Sequence, residues 1–419
     1  MGTVTYSKIK NLRVENVVLA ALLFMYAIRF ANKNCTWLLL FTVTALAATN
    51  IKDSRGFISS PIEFLSLALF GLTYYVFDYI NYGITINLTT FVQLCAGSLL
   101  MYVAGKRLVR ASDSPEKKYL QLVWVMSLGM LAWPLLCYIK GGVIVDYSPG
   151  SDERLLADFW TGELWQATNH NGYCLSALVL SIVAFLQCSK VSLKLIALVP
   201  GVLAFYFSLV TASRTNLILA VFTLALMLVV SALVESGRVP LLKKTTVRRI
   251  CLGTLILIVL IPIAFAFQES LTSALPLGAL QERAASRDLS IKNDGRLLFW
   301  QQVIEAIPSH PFGGITSVDA AHNLLLDIAR VAGVIPMVLM TVFILSNIVG
   351  AWELLSAEDA SSHLRILNFV LIFILLISFL IEPTLSAKPF VFIGYCFICG
   401  MQRGLLFRFG RSYRFEDDK

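Results

Sequence analysis

Charged residues are scarce in this sequence of 419 residues: Asp, Glu, Lys and Arg together make up 14% of it, whereas 57% of the residues are hydrophobic. A soluble fold could not hide so much apolar surface. The apolar runs recur at a length of about 17 to 25 residues, which is long enough for a helix to cross a bilayer. The sequence therefore predicts an all-α, polytopic integral membrane protein.

Motifs of nucleotide and metal chemistry are also missing. The chain has no glycine-rich loop ending in GKS or GKT, and no DxD pair of aspartates of the kind that holds a metal on a nucleotide sugar. Its eight cysteines form no zinc pattern, and Cys396 and Cys399 stand in an apolar run, where they are expected to act as small hydrophobic residues. We therefore expect no nucleotide fuel, no cofactor and no metal site.

The apolar runs predict about twelve membrane-spanning helices. They lie at residues 15–31, 36–50, 61–78, 87–105, 118–138, 171–188, 193–210, 215–235, 250–268, 323–349, 366–382 and 387–401. An even number of spans places both termini on one side, and assigning that side to the cytoplasm puts most of the 34 Lys and Arg residues in cytoplasmic segments. The net charge of +8 then reflects orientation among anionic membrane lipids, and no nucleic-acid partner is expected.

Two long loops help to divide the chain into four predicted regions, and both loops are expected opposite the cytoplasm. The regions are N-terminal membrane helices at 1–138, a loop at 139–170, a membrane core at 171–349 that includes a second, large loop at 269–322 between spans 9 and 10, and C-terminal helices with a basic tail at 350–419. In the first loop, Trp160 and Trp165 favour an interfacial helix with its tryptophans at headgroup depth. At its end, His170 and Asn171 form a weaker candidate site.

Polar residues concentrate in the stretch from Gly295 to Gly333. A helix is predicted from Arg296, because apolar residues recur at helical spacing; they are Trp300, Val303, Ile304 and Ile307. Two prolines and the pair Gly313-Gly314 then turn the chain, so that Arg296 and His322 can reach one wet pocket although they are 26 residues apart. The alternative is an interfacial histidine and a snorkelling arginine that serve only as anchors.

A third polar residue comes from the short turn TASRT between two predicted spans. Arg214 is the only charged residue of this turn, which places it at the mouth of the helix bundle. The forked guanidinium group can bind a phosphate through two hydrogen bonds at once. The alternative is again an ordinary anchor at a helix end.

These residues carry a resemblance to a known family. The chain contains SRT around Arg214, GRxxxW at 295–300, HPFGG at 310–314, and His322-Asn323 with Gly333 after nine intervening residues. In this order the motifs resemble the domain shared by O-antigen ligases and O-antigen polymerases, and the resemblance extends from about residue 170 to 333. One departure is Pro336, where the family usually has a small residue or valine.

The resemblance implies a metal-independent glycosyltransferase whose donor is a glycan linked to undecaprenyl diphosphate. In the ligases the acceptor is a sugar hydroxyl of lipid A-core, which completes lipopolysaccharide at the periplasmic face of the bacterial inner membrane. Polymerases instead join two lipid-linked repeat units; we favour a ligase because the His-Asn-x9-Gly element is more regular in ligases. A twelve-span transporter is a third possibility, but the chain shows no repeat of its halves and its charges of interest gather at one face.

The chemistry of this reaction fits the candidate residues. Breaking the bond between sugar and diphosphate builds negative charge, which Arg214 and Arg296 can neutralise. His322 at a helix N-terminus, where the macrodipole disfavours its charged form, is suited to take the proton of the acceptor hydroxyl. Asn323 is expected to hold that ring or a sugar hydroxyl.

Two further residues complete the candidate site. His170 is a possible substrate ligand. Arg330 follows Asp327 by three residues, and a local ion pair between the two is expected, with the diphosphate pocket of the lipid carrier as the alternative for Arg330.

Overall fold

The computed structural model describes residues 16–30, 61–83, 92–146, 153–188, 190–235, 295–318 and 320–409. In this part of the chain the helices are α1 (Asn16–Ala27), α2 (Pro61–Tyr82), a π-helical turn (Val92–Gly97) continuing into α3 (Ser98–Arg110), α4 (Pro115–Gly141), α5 (Ala167–Gln187), α6 (Val191–Val210), α7 (Arg214–Glu235), α8 (Gly295–Ala306), α9 (Leu324–Ala332), α10 (Val334–Ser356), α11 (Ser362–Ile381), α12 (Thr384–Ala387) and α13 (Pro389–Phe409). The strands are β1 (Ile144–Asp146), β2 (Glu153–Ala157) and β3 (Leu164–Gln166).

The chain is a mostly helical membrane protein, as the composition predicts. Within the described ranges, seven helices are long and apolar enough to cross a bilayer; they are α4, α5, α6, α7, α10, α11 and α13. The predicted spans at 36–50 and 250–268 lie outside the described residues, as does the part of the second loop before residue 295.

The predicted span at 323–349 is wrong as a single helix. Two helices, α9 and α10, meet at Gly333, which has a φ of +88° and donates its N–H to the carbonyl of Ala329 at 3.0 Å. A side chain at this position would collide with the carbonyl oxygen of Pro311, and the backbone conformation itself favours glycine. The break therefore lies at Gly333 and not at Pro336, which is buried in the first turn of α10.

The expectation of an interfacial helix in the loop at 139–170 is also wrong. Its described residues form an antiparallel sheet in the order β1-β2-β3, with Leu155 opposite Gln166. Along β2 the buried residues alternate, because Arg154 and Leu156 face inward. The guanidinium of Arg154 donates to the carbonyls of Thr211 at 2.7 Å and Ala212 at 3.1 Å. In a strand, alternate residues face the same side, so that Arg154 and Leu156 both point inward. The hydrogen bonds of Arg154 connect the sheet to the turn after α6.

One buried polar cluster connects four transmembrane helices near the C-terminal end of α13. Tyr119 of α4 donates to Asn368 of α11 at 2.9 Å, Asn368 donates to Gln402 of α13 at 2.7 Å, and Gln402 donates to the carbonyl of Asn347 in α10 at 3.0 Å. The next residue, Arg403, pairs with Glu63 of α2 and, at 3.6 Å, with Glu353 of α10. Since buried polar groups need partners, these contacts fix the helices against one another. We call this set the Arg403 cluster.

Candidate functional site

The sequence motifs at 310–314 and 333 form one backbone clasp. The N–H of Val334 donates to the carbonyl of Pro311 at 2.9 Å, and the N–H of Ile315 donates to the carbonyl of Arg330 at 3.0 Å. Gly313, with a φ of +89°, packs so closely on the end of α9 that a side chain would collide with the carbonyl of Val331. The glycines of two distant motifs are therefore required by one contact, and their role is structural.

Helix α2 holds this clasp from the side. The amide nitrogen of Asn81 donates to the carbonyls of Phe312 at 2.8 Å and Val331 at 3.0 Å, one on each half of the clasp. The ring of Phe77 stacks on Phe312 with 5.4 Å between the centroids. These contacts fix the entry into α9, where the candidate histidine lies.

Helix α8 brings Arg296 to the same place. The predicted helix is confirmed, and its residue Val303 is fully buried, whereas Ile304 faces outward and is 55% exposed. The indole nitrogen of Trp300 donates to the carbonyl of Ala321, the residue before His322, at 2.7 Å. This bond confirms that α8 folds back onto the segment that carries His322, as the Gly/Pro turn predicts.

Glu382 is the residue at which these elements meet, and it lies in the short link between α11 and α12. The residue is 4% exposed, and its carboxylate accepts a hydrogen bond from the hydroxyl of Thr215 at 2.7 Å and one from the amino group of Lys388 at 3.1 Å. The guanidinium of Arg296 lies 3.6 Å from the same carboxylate. Thr215 directly follows Arg214 in the first turn of α7. The segments that carry Arg214 and Arg296 are therefore both anchored on Glu382.

The two cations around Glu382 differ in strength of attachment. The side chains of Lys388 and Glu382 are only 4% and 5% exposed, so that removing either one would leave a buried charge without its nearest partner, at a cost on the order of 3–5 kcal/mol. Arg296 is 33% exposed and 3.6 Å away, and such a pair is screened and contributes about 1 kcal/mol or less. Burial alone would raise the pKa of Glu382, but Lys388, Arg296 and the hydrogen bond from Thr215 lower it below its ordinary value. The carboxylate is thus ionised, with one fixed and one weakly held cation.

His322 stands beside this group in a strained backbone conformation. Its φ is +55°, which is uncommon for a residue with a side chain and suggests that the surroundings hold it there. Burial, and after it the positive charge of Arg296, lowers the pKa of the imidazole below its ordinary value. Among the described residues no hydrogen-bond partner reaches its Nδ1 atom. The ring is therefore neutral near pH 7, and burial is the largest cause of its lowered pKa.

Asn323 caps helix α9. Its side-chain oxygen accepts from the N–H groups of Leu325 at 3.0 Å and Leu326 at 3.2 Å, and its nitrogen donates to the carbonyl of Leu380 at 3.1 Å. These bonds join the start of α9 to the end of α11, close to Glu382. Asn323 thus fixes the backbone from which His322 projects; its contact with a substrate stays a prediction.

Arg330 forms the expected local ion pair, with 3.7 Å between its guanidinium and the carboxylate of Asp327. Asp327 also accepts hydrogen bonds from the backbone N–H groups of Ala321 at 2.7 Å and Asn323 at 3.3 Å, on either side of His322. Arg330 donates in turn to the carbonyl of Val318 at 3.2 Å. The pair therefore stabilises the loop that presents His322.

His170 does not line an accessible pocket. Its ring is fully buried and stacks on Trp133 with 4.4 Å between centroids, and the guanidinium of Arg29 covers another part of Trp133 at 4.4 Å. This burial excludes direct contact between His170 and a substrate in this structure. The two residues after it support the site instead: Asn171 donates to Thr211 of the TASRT turn at 2.8 Å, and Gly172 leaves room for the side chain of Lys388.

Arg214 is the first residue of α7, and its side chain is half-buried. Its turn is fixed from two sides, by Arg154 of the sheet and by Asn216, whose amide donates to the carbonyl of Asn171 at 2.9 Å. The turn therefore presents Arg214 from a rigid support.

Glu382 and Lys388 are not among the site residues that the sequence motifs predict. A usable signal was present, because these are the only charged residues between Arg365 and Arg403. Ionisable residues within membrane segments are costly and mark functional sites. The predicted spans do not single them out, because each stands at or beside the boundary of a span.

Metal-binding side chains are not clustered around this site. In the part of the chain that the structure describes, no three His, Cys, Asp or Glu residues are grouped so that they could hold a metal ion. The sequence matches no protein-family model and no curated protein at a significant level.

Proposed function

We propose that this protein is an O-antigen ligase, which transfers a glycan from undecaprenyl diphosphate to a sugar hydroxyl of lipid A-core. The observation that carries the proposal is the meeting of three separate segments at Glu382: the start of α7 with Arg214, the start of α8 with Arg296, and the link to α13 with Lys388. His322 lies within their electrostatic influence. The motif resemblance and the bundle of apolar helices support a lipid-linked substrate.

The reaction requires charge neutralisation at one end of the breaking bond. The bond between the anomeric carbon and the diphosphate oxygen breaks, and its electron pair leaves with the diphosphate. Arg214 and Arg296 bind this group through charge-assisted hydrogen bonds that strengthen as negative charge develops. Thr215, the residue after Arg214, and Arg296 itself both contact Glu382, which holds the two segments close together.

At the other end, the acceptor must lose a proton. Its hydroxyl oxygen forms the new bond to the anomeric carbon, and the hydroxyl proton passes to the neutral imidazole of His322. The lowered pKa of this residue keeps it unprotonated before the reaction. Attack from the face opposite the diphosphate inverts the configuration of the sugar.

An orientation in the membrane belongs to this function. The site lies at the periplasmic face of the bacterial inner membrane, both termini lie in the cytoplasm, and twelve spans separate them. Most Lys and Arg residues then fall on the cytoplasmic side, which supports this arrangement.

A transfer assay with purified protein can distinguish a ligase from a polymerase by the acceptor that is used. In detergent, with EDTA and without a transmembrane gradient, we expect transfer of glycan from undecaprenyl diphosphate to added lipid A-core, detected by mass spectrometry of the product. Extension of the lipid-linked glycan alone would indicate a polymerase. Failure to use the donor with any acceptor would refute a glycosyltransferase.

A further inference from the structure

The carboxylate of Glu382 is itself an anion in the place where the proposed function needs an anionic leaving group. It lies 3.6 Å from Arg296, a longer distance than a hydrogen bond, while the bond from Lys388 is 3.1 Å. Arg296 is also the more exposed of the two cations, at 33% against 4%. The arginine can therefore leave the carboxylate far more easily than the lysine can.

We propose that Glu382 is a built-in counter-anion that holds Arg296 until the diphosphate of the substrate replaces it. On binding, Arg296 exchanges its carboxylate partner for a phosphate oxygen, with which the guanidinium can form two parallel hydrogen bonds. Lys388 and Thr215 stay on Glu382 and keep the buried carboxylate compensated. The inference rests on the proposed function, since it assumes a diphosphate ligand.

The arrangement explains why a buried lysine lies so close to the site. Without Lys388, the departure of Arg296 would leave an ionised carboxylate with no cation in a buried position, which is strongly unfavourable. The side chain of Lys388 packs against Gly172 of α5, where any larger residue would collide with it. Gly172 therefore provides the space that the side chain of Lys388 occupies beside Glu382. With Lys388 in this position, Arg296 can exchange the carboxylate for a phosphate group.

A double substitution that keeps the net charge of the site can distinguish a counter-anion role of Glu382 from a purely structural one. The two roles predict opposite changes in the affinity for diphosphate. Glu382→Gln with Lys388→Met removes one negative and one positive charge, so that the net charge of the site is unchanged and the new side-chain amide can still accept from Thr215. If Glu382 competes for Arg296, the double variant should bind diphosphate about two- to fivefold more tightly than the wild type. If the pair only maintains the structure, binding should weaken.

The single variant Lys388→Met should move binding the other way. Glu382 then depends more heavily on Arg296 for charge compensation and holds it more strongly, so that diphosphate binding should weaken by roughly tenfold. If this variant does not accumulate, the double variant alone decides the matter. As a matched control, Glu63→Gln with Arg403→Met makes the same charge-neutral change in the Arg403 cluster and should leave binding unchanged.

Isothermal titration of the detergent-purified full chain with undecaprenyl diphosphate, and separately with inorganic pyrophosphate, tests the inference. Tighter binding of both probes by the double variant supports it. Unchanged or weaker binding by the double variant, beside a wild type that binds, overturns the counter-anion role and leaves the proposed function standing. If the wild type binds neither probe, both the counter-anion role and the proposed function are overturned.

Discussion

The Glu382 group and the Arg403 cluster bury similar charges near the two ends of α13 but differ in how they are completed. Lys388 precedes the helix and Arg403 lies near its far end, so that roughly 20 Å of helix separates them. The Arg403 cluster continues into a ladder of amides whose members bond to one another across four helices. Around Glu382 one of the two cations, Arg296, is 33% exposed and lies 3.6 Å from the carboxylate, and His322 stands nearby with a strained backbone. A network whose charged groups are nearly all buried and paired with one another stabilises a structure, whereas a group with a partly exposed cation beside a buried carboxylate can accept a ligand.

The largest effect that separates the two regions should come from His322→Ala. Removal of a general base typically costs about 10² to 10⁴ in rate, and we expect single-turnover transfer from lipid-linked donor to fall by that factor while the protein still inserts. Transfer at the wild-type rate would remove His322 from the mechanism. Tyr119→Phe, which breaks the amide ladder instead, is the matched control and should transfer at a normal rate per folded molecule.

The second-largest effect should come from lysine substitutions, which test whether Arg214 and Arg296 bind the diphosphate. Arg214→Lys and Arg296→Lys keep the charge but lose the fork of donors, and the loss of a charge-assisted pair at a developing charge corresponds to about 2 to 4 kcal/mol, or roughly 30- to 1,000-fold in rate. The alanine variants should be slower still. Since lysine anchors a helix end as well as arginine does, full activity in both lysine variants would show that these residues are only anchors.

Arg403→Met should affect stability and leave catalysis intact. It strands the buried carboxylate of Glu63, so that the free energy of unfolding should fall by about 3 to 5 kcal/mol. Thermal unfolding in detergent measures this loss, and the transfer rate of the folded fraction should match the wild type. If Arg403→Met lost transfer activity without losing stability, the Arg403 cluster would not be purely structural, and the contrast with the Glu382 group would be wrong.

The smallest predicted effect is a shift of the pH profile. Transfer needs neutral His322, which is the form present above its pKa; because that pKa is lowered, activity should persist below the ordinary histidine value of about 6.5 and decline only at more acidic pH. Arg296 contributes to the lowering. Residual activity of Arg296→Gln should therefore decline at a higher pH than that of the wild type, and a profile identical to the wild type would contradict the coupling.

Much of this fold could be predicted because hydrophobic length and turn residues act locally. The apolar runs locate most described membrane helices, and the Gly/Pro turn after α8 indicates that Arg296 and His322 approach each other. The break at Gly333 was missed because it depends on a partner, the carbonyl of Pro311, which no local pattern reveals.

The sheet and the pair of Glu382 with Lys388 escaped prediction for a related reason. A strand in the first loop is stabilised by Arg154 reaching the carbonyls after α6, a contact over 57 residues. In the sequence Glu382 is simply the last residue of a predicted span. Its place in the site depends on the hydrogen bond from Thr215, which is 167 residues away along the chain. Long-range contacts of this kind override local propensity, and they decide which polar residues form a site.

We propose above all that the group around Glu382 and His322 breaks a bond to a lipid-linked diphosphate. The most direct test is a single turnover with excess purified enzyme, in which free undecaprenyl diphosphate and glycan on lipid A-core are both quantified over time. We expect the two products to appear together in equal amounts, and neither to appear with the double variant His322→Ala, Arg296→Ala. Transfer without release of undecaprenyl diphosphate, or undiminished turnover by that variant, would contradict this mechanism.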